Sequence, residues 1–307
     1  MVNAGVAMET SSPARRAPGG RAGHNGLTMH VLVAGCGWLG EALARVLVGR
    51  GHRVTGIRRD PARAGALASL GVEPLALDLA APGAEAHLPA ADAVVACQSA
   101  GAEGEGAYRA AYVDALRPLL AAASRSGARL VYTGSTGVFG QRDGSDVDED
   151  TPPAPASATG AVLVEAESLV REAAARGTHA AVVRLSGLYG PGRAGIFERV
   201  RQGVLALGPG DDAWMNFCER DDAVAFVLAA LERAPAGAIL HGSDARPAPR
   251  REVVEWISAR LGIPPPRTER PAAGPNRRIR SEKTRALLGV ALRHPSFADG
   301  LAKLAPG

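Results

Sequence analysis

From His30 onward the chain alternates between two textures. Short aliphatic runs (HVLVAG, RVTGI, VEPLALDL, DAVVACQS, ARLVYTGS, HAAVVRLSG) are separated by stretches with apolar residues at helical spacing. The first of these, LGEALARVLVGRGH, places Leu39, Leu43, Val46 and Leu47 on one helix face. PARAGALASLG predicts a second helix closed by Gly71, and further helices are predicted over 107–126 and 158–176. Strands and helices in this rhythm predict a parallel sheet covered on both faces. The runs LVAG, AVVAC and AAVVRL are apolar throughout, as strands buried on both faces must be.

Beyond Gly187 the rhythm loosens into segments rich in Pro, Gly and Arg, with helices predicted near 194–205, 221–233, 249–261 and 281–289. The expected division is therefore a nucleotide-binding domain over 29–187, with 215–243 returning to it, and a small C-terminal substrate lobe from 188–214 and 244–307. Residues 1–28 lack apolar periodicity and are rich in Gly, Ala, Ser, Pro and Arg, which predicts a disordered tail. Met29 stands one residue before the first strand, so an over-extended start explains the tail better than a targeting signal.

Composition narrows the class. With 307 residues, 46% of them hydrophobic, the chain can bury a core, and aromatics at 4% leave that core to Ala, Val and Leu. No apolar run approaches the roughly 18 residues that span a bilayer, which predicts a soluble, cytoplasmic protein without a membrane partner. Cys36, Cys97 and Cys218 are too few and too scattered for a disulfide framework or a zinc site, so no metal is expected. The pI near 9.3 does not describe the whole surface. Residues 246–307 carry 13 Arg and Lys against 5 Asp and Glu, while 29–245 is net acidic, which argues against nucleic acid as a partner.

The chemistry begins at Gly35-Cys36-Gly37-Trp38-Leu39-Gly40, a G-x-G-x-x-G directly after a strand and opening a helix. Gly35 allows the tight turn, Gly37 the approach of a pyrophosphate, and Gly40 close helix–strand packing. The phosphates then meet the free N–H groups and the positive end of the helix. This is the nucleotide crevice of a Rossmann doubly wound α/β fold. At the end of the second strand stand Arg58 and Arg59, where NAD-specific sites usually carry an acid. Two guanidiniums suit a 2′-phosphate and favour NADP over NAD.

These strings, with LVYTGSTGVFG, DEDTPPAPASATG, VVRLSGLYGPGR and RDDAV, resemble the extended short-chain dehydrogenases/reductases of the NAD-dependent epimerase/dehydratase type over roughly 30–305, in an atypical branch with the shorter glycine motif. The resemblance implies that Asp78 and Leu79 flank the adenine and that Gln98 and Ser99 lie along the cofactor. It also implies a catalytic hydroxyl at Ser135 and a catalytic Tyr followed by Lys four residues later. Here Thr159 and Leu163 stand in those two places, and no Tyr-x-x-x-Lys occurs elsewhere, because Lys283 and Lys303 are the chain's only lysines.

A phenol ordinarily titrates near 10, and the family's Lys brings its proton within reach of neutral pH. Thr159 is far too weak an acid to replace it. Ser135 would then organise hydride transfer with Thr159 as an additional hydroxyl donor, the proton coming from water or from Tyr189 in the LYGPG loop; His241, the pair Asp221-Asp222 (Asp222 read as a helix N-cap) and Cys36 are weaker candidates. Arg184 reads as a structural tie at a strand end. Gly187 replaces the Asn of many nucleotide-sugar enzymes, which counts against such substrates. The leading expectation is an NADP(H)-dependent oxidoreductase acting on a small-molecule substrate. Its rivals are a non-catalytic NADP-binding sensor or scaffold and, third, a nucleotide-sugar epimerase. The helices at 107–126 and 158–176, which the family commonly pairs, would make a homodimer.

Overall fold

The computed structural model describes residue 1, residues 28–270 and residues 274–304. The expected disordered tail falls almost wholly on residues 2–27, outside the described residues.

Seven parallel strands form the central sheet: β1 (His30–Ala34), β2 (Arg53–Arg58), β3 (Glu73–Ala76), β4 (Ala93–Ala96), β5 (Arg129–Ser135), β6 (Ala180–Leu185) and β7 (Ile239–Gly242). Their spatial order is β7-β6-β5-β4-β1-β2-β3. The chain runs outward from β1 to β3, then crosses back to β4 on the other side of β1. That reversal opens a crevice between the carboxyl ends of β1 and β4, where doubly wound folds bind their ligands.

Strand alternation divides the core. Val31 and Val33 pack on one face with α1 (Trp38–Gly49) and the helix Arg220–Arg233, while Leu32 and Ala34 pack on the other. On that second face lie the helical run from Glu105 to Ser126, called α2, and α3 (Ala158–Ala175). α2 contains a π-helical stretch, Arg109–Asp114, packed against α3. Such a stretch adds a residue to one turn and re-aims the side chains around it; it is frequent at functional sites.

Predicted and observed elements agree for the sheet and long helices, with shorter bounds at the edges. PARAGALASLG forms a short helix, Pro61–Gly65, followed by a 3-10 turn, Ala66–Leu70. Three small two-stranded ladders add what hydrophobic pattern could not reveal: Gly187–Tyr189 with Phe217–Glu219, Trp214–Met215 with Ala248–Pro249, and Asp146–Val147 with Arg278–Ile279. Tyr132, fully buried, is the aromatic residue in the strands of the central sheet. Phe197, Phe217 and Phe297, three of the five phenylalanines, lie with Tyr189 and Trp256 in a separate cluster formed by residues after Gly187.

Candidate active site

The glycine loop sits at the crevice. Gly35 has φ +70°, and a Cβ there would stand 2.2 Å from the Gln98 Cα, so only glycine lets the loops after β1 and β4 touch. At Gly40 a Cβ would lie 3.0 Å from the Gly35 carbonyl and 3.2 Å from Val33, the close helix–strand approach expected of it. Gly37 is open by comparison, its nearest neighbour being 3.7 Å from such a Cβ. It precedes α1, whose N-terminus no side chain caps. The first-turn N–H groups of Trp38, Leu39 and Gly40 therefore remain available to an anion. The Gln98 amide is buried with neither its nitrogen nor its oxygen partnered. These features fit a dinucleotide.

The two arginines after β2 behave differently. Arg58 folds back over the loop, donating to the Cys36 carbonyl and pairing with Glu41 in the first turn of α1. Arg59 is exposed, and its Nη2 lies 3.4 Å from where a Cβ of Gly101 would stand, across the groove. No ion pair holds Arg59 among the described residues. Asp78 is exposed and accepts from the Ala80 N–H at 3.0 Å, and Ser99 is exposed. The side chain of Leu79, expected at the adenine, is 6% exposed in the core cluster with Ile57. Leu39 is likewise a core residue and offers only its backbone.

On the substrate side, Ser135 ends β5 half-buried, and its Oγ accepts the Gly137 N–H at 3.1 Å. Its own O–H remains free to donate. Thr159 is half-buried in the first turn of α3, with Oγ1 3.1 Å from the Oγ of Ser157, the helix N-cap. Leu163, one turn on, is buried among Val138, Phe139, Val147 and Ile279.

Tyr189 does not present a phenol to solvent. Its ring packs edge-on against Phe217, and its hydroxyl is buried, unpartnered, against Gly300. Burial, reinforced by Asp244 and Glu219, pushes its proton affinity far above that of an ordinary tyrosine. His241 is fully buried, with Nδ1 2.9 Å from the Arg280 carbonyl, and burial lowers its pKa: a packed group. Cys36 is buried and its thiol is pushed up to about 12, chiefly by desolvation, so the helix N-terminus does not activate it. Arg184 ties to Glu167 by two hydrogen bonds of 2.8 and 2.7 Å, the structural role expected of it.

The helix cap is a correction. Glu219, not Asp222, caps Arg220–Arg233 by accepting from the Asp221 N–H. Asp222 lies inside the first turn and holds the Arg293 and His294 N–H groups at 2.7 and 2.9 Å. Glu219, Asp222 and His294 come close enough together for a metal, but backbone N–H groups occupy both carboxylates, and Lys303 Nζ stands 3.0 Å from His294 Nε2. A cavity of about 480 Å³ beside α3 and β7 contains none of the residues expected to bind cofactor or act in catalysis.

One tyrosine escaped the sequence reading. Tyr112 lies in the π-helical stretch of α2, its ring 5.2 Å from that of Tyr108. Burial raises its pKa above the usual 10, while the Ala100 N–H and the Arg193 guanidinium act in the opposite sense. Those neighbours place it between the loop after β4 and the LYGPGR loop. The signal was faint: a chain with four tyrosines and no catalytic one where the resemblance asks for it.

Comparison with known proteins gives a consistent picture. A profile described as NAD dependent epimerase/dehydratase family matches residues 31–241. The 3-diazoavenalumate denitrifying reductase of a Streptomyces species is 31% identical, covering 90% of this chain and all of its own length. The 2-alkyl-3-oxoalkanoate reductase of Stenotrophomonas maltophilia is 33% identical, with 77% of each chain covered. The solved structure of a putative NAD-dependent epimerase/dehydratase from Methylobacillus flagellatus superposes with a TM-score of 0.72 at 30% identity, covering 90% of this chain and 97% of that one.

Proposed function

The chain belongs to the NAD-dependent epimerase/dehydratase family, and from that premise we propose that it is an NADP(H)-dependent reductase of a small molecule. The carrying observation is the crevice itself: Gly35 against Gln98 over the uncapped N-terminus of α1, with exposed Arg59 across the groove. Two relatives named as reductases support the direction of the chemistry.

The residues divide the work. The first-turn N–H groups of α1 hold the pyrophosphate, the Gln98 amide meets the cofactor beside it, and Arg59 takes the 2′-phosphate. Arg58 keeps the glycine loop in shape. A bound dihydronicotinamide supplies hydride. Ser135 and Thr159 donate hydrogen bonds to the substrate atom that gains negative charge. Tyr112 gives that atom its proton. Burial raises its pKa, so the phenol stays protonated at neutral pH but is a weaker acid than a tyrosine activated by a neighbouring lysine, and slow proton transfer is expected.

A second reading keeps the cofactor and drops the turnover: a sensor of NADP(H) redox state. Leu163, buried where the family carries its Lys, favours it. Titration of the full chain with NADPH and NADH by nicotinamide fluorescence, beside Arg59→Ala, tests both readings. Tighter NADPH binding that weakens about tenfold or more in the variant supports the cofactor assignment. Absence of binding by either cofactor overturns it. NADPH binding without oxidation across a carbonyl panel favours the sensor.

A further inference from the structure

Three arginines crowd residues 277–280, and two of them share one acid. Arg278 and Arg280 both pair with Asp146, at 2.8 and 2.9 Å. Arg277 has no such partner among the described residues. It is 6% exposed, its Nη2 donates to the Thr136 carbonyl at 2.7 Å, and its Nε and Nη1 are buried with nothing to bond. Desolvation acts on it unopposed by any acid. A buried guanidinium without a counter-ion is among the costlier arrangements a protein can keep.

The arginine is also held in place. The Asn216 side chain donates to the Arg277 carbonyl at 2.9 Å and accepts the Ile279 N–H at 2.7 Å, fixing the backbone on both sides of Arg278. The residue it grips lies between Ser135, half-exposed, and Gly137, exposed. The guanidinium thus sits on the carbonyl of the residue that follows Ser135, and its buried Nε and Nη1 N–H groups lack an acceptor. One guanidinium matches one carboxylate in charge and in planar, two-point geometry.

We propose that Arg277 is the substrate-anion receptor of this cleft and that the substrate is a small organic acid, its carboxylate on Arg277 and its reducible group toward Ser135. The orientation toward Ser135 rests on the reductase reading; the anion receptor does not.

The test is equilibrium binding to the full chain, with and without saturating NADPH, of matched carboxylate and primary-amide probes: acetoacetate and acetoacetamide, benzoate and benzamide, cinnamate and cinnamamide. The expected result is that at least one carboxylate binds about ten- to a hundredfold more tightly than its amide, and that Arg277→Gln brings the ratio near one while NADPH affinity is kept. Should Arg277→Gln fail to fold, Arg277→Lys serves: it keeps the charge, loses the planar fork, and is expected to lower the ratio without erasing it. If no carboxylate is preferred, or the preference survives Arg277→Gln, the proposal is overturned. Equal loss of both probe types would make Arg277 only a tie for the Thr136 loop, which also overturns it. NADPH binding without carboxylate preference leaves the reductase reading standing; carboxylate preference without NADPH binding removes that reading and leaves the receptor.

Discussion

The indole N–H of Trp38 donates to the carbonyl of Pro191 at 2.8 Å, joining the glycine loop to a segment 153 residues further along the chain. The guanidiniums of Arg193 and Arg220 lie over the same ring, 5.3 and 5.5 Å from its centre. Trp38 is also the first residue of α1, so the tie acts on the turn assigned to the pyrophosphate. Trp38→Phe keeps an aromatic face and removes the N–H. The expected result is a loss of about 1 kcal/mol in stability and a several-fold weaker NADPH affinity, read by thermal melting and cofactor titration. Unchanged cofactor affinity would show that the tie stabilises the fold without shaping the crevice.

Arg184 and Glu167 form a pair that is 3% and 4% exposed, with the Phe139 ring 4.9 Å from the guanidinium. Removing one partner leaves the other charge buried and unpaid. Glu167→Gln is expected to cost about 3–5 kcal/mol in urea unfolding. The double variant Arg184→Met/Glu167→Leu removes both charges and is expected to be less destabilised than Glu167→Gln alone. Simple additivity of the two single changes would refute that coupling.

What the sequence revealed depended on how local each cause was. Gly35 and Gly40 were legible because a turn and a close contact within one β-α unit impose glycine at fixed spacing. Arg277 was not, because its meaning comes from Thr136, 141 residues away, and from the acid it lacks. Tyr112 was hidden similarly: its neighbours Ala100 and Arg193 come from separate loops. The cap was misassigned by three residues because Glu219 and Asp222 both precede an apolar run, and only the backbone shows which one faces the free N–H groups.

Asp244 gives a pH dependence with a defined sign. It is 2% exposed, and burial pushes its carboxyl up to about 8, with the Arg246 N–H pulling weakly the other way and Asp222 adding to the rise. The unfolded chain releases this proton near the ordinary value of about 3.9. Between these limits the folded state holds the proton more tightly, so the contribution of Asp244 to stability is fully present below pH about 4 and is lost as pH rises through about 8. Asp244→Asn is expected to remove that slope and to be relatively more stable than the parent at pH 9 than at pH 5. Parallel stability curves for the two proteins would contradict the assignment.

The missing Tyr–Lys pair can be rebuilt only against the packing. Thr159 is half-buried at the start of α3, so Thr159→Tyr has a route to solvent and is expected to fold with near-parental stability. Leu163 is 5% exposed, in contact with Val138, Phe139, Val147 and Ile279. A lysine there would trade these contacts for a desolvated ammonium, and its pKa would fall as burial disfavours the charge. Leu163→Lys is therefore expected to lose about 3 kcal/mol or more in urea unfolding, with the loss easing above neutral pH as the amine gives up its proton. Thr159→Tyr/Leu163→Lys should inherit that loss and gain little NADPH turnover, because an amine neutralised by its surroundings cannot lower the phenol's pKa. A stable double variant with turnover raised a hundredfold would mean instead that the lysine's place had stayed open, and that Tyr112 is not the proton source.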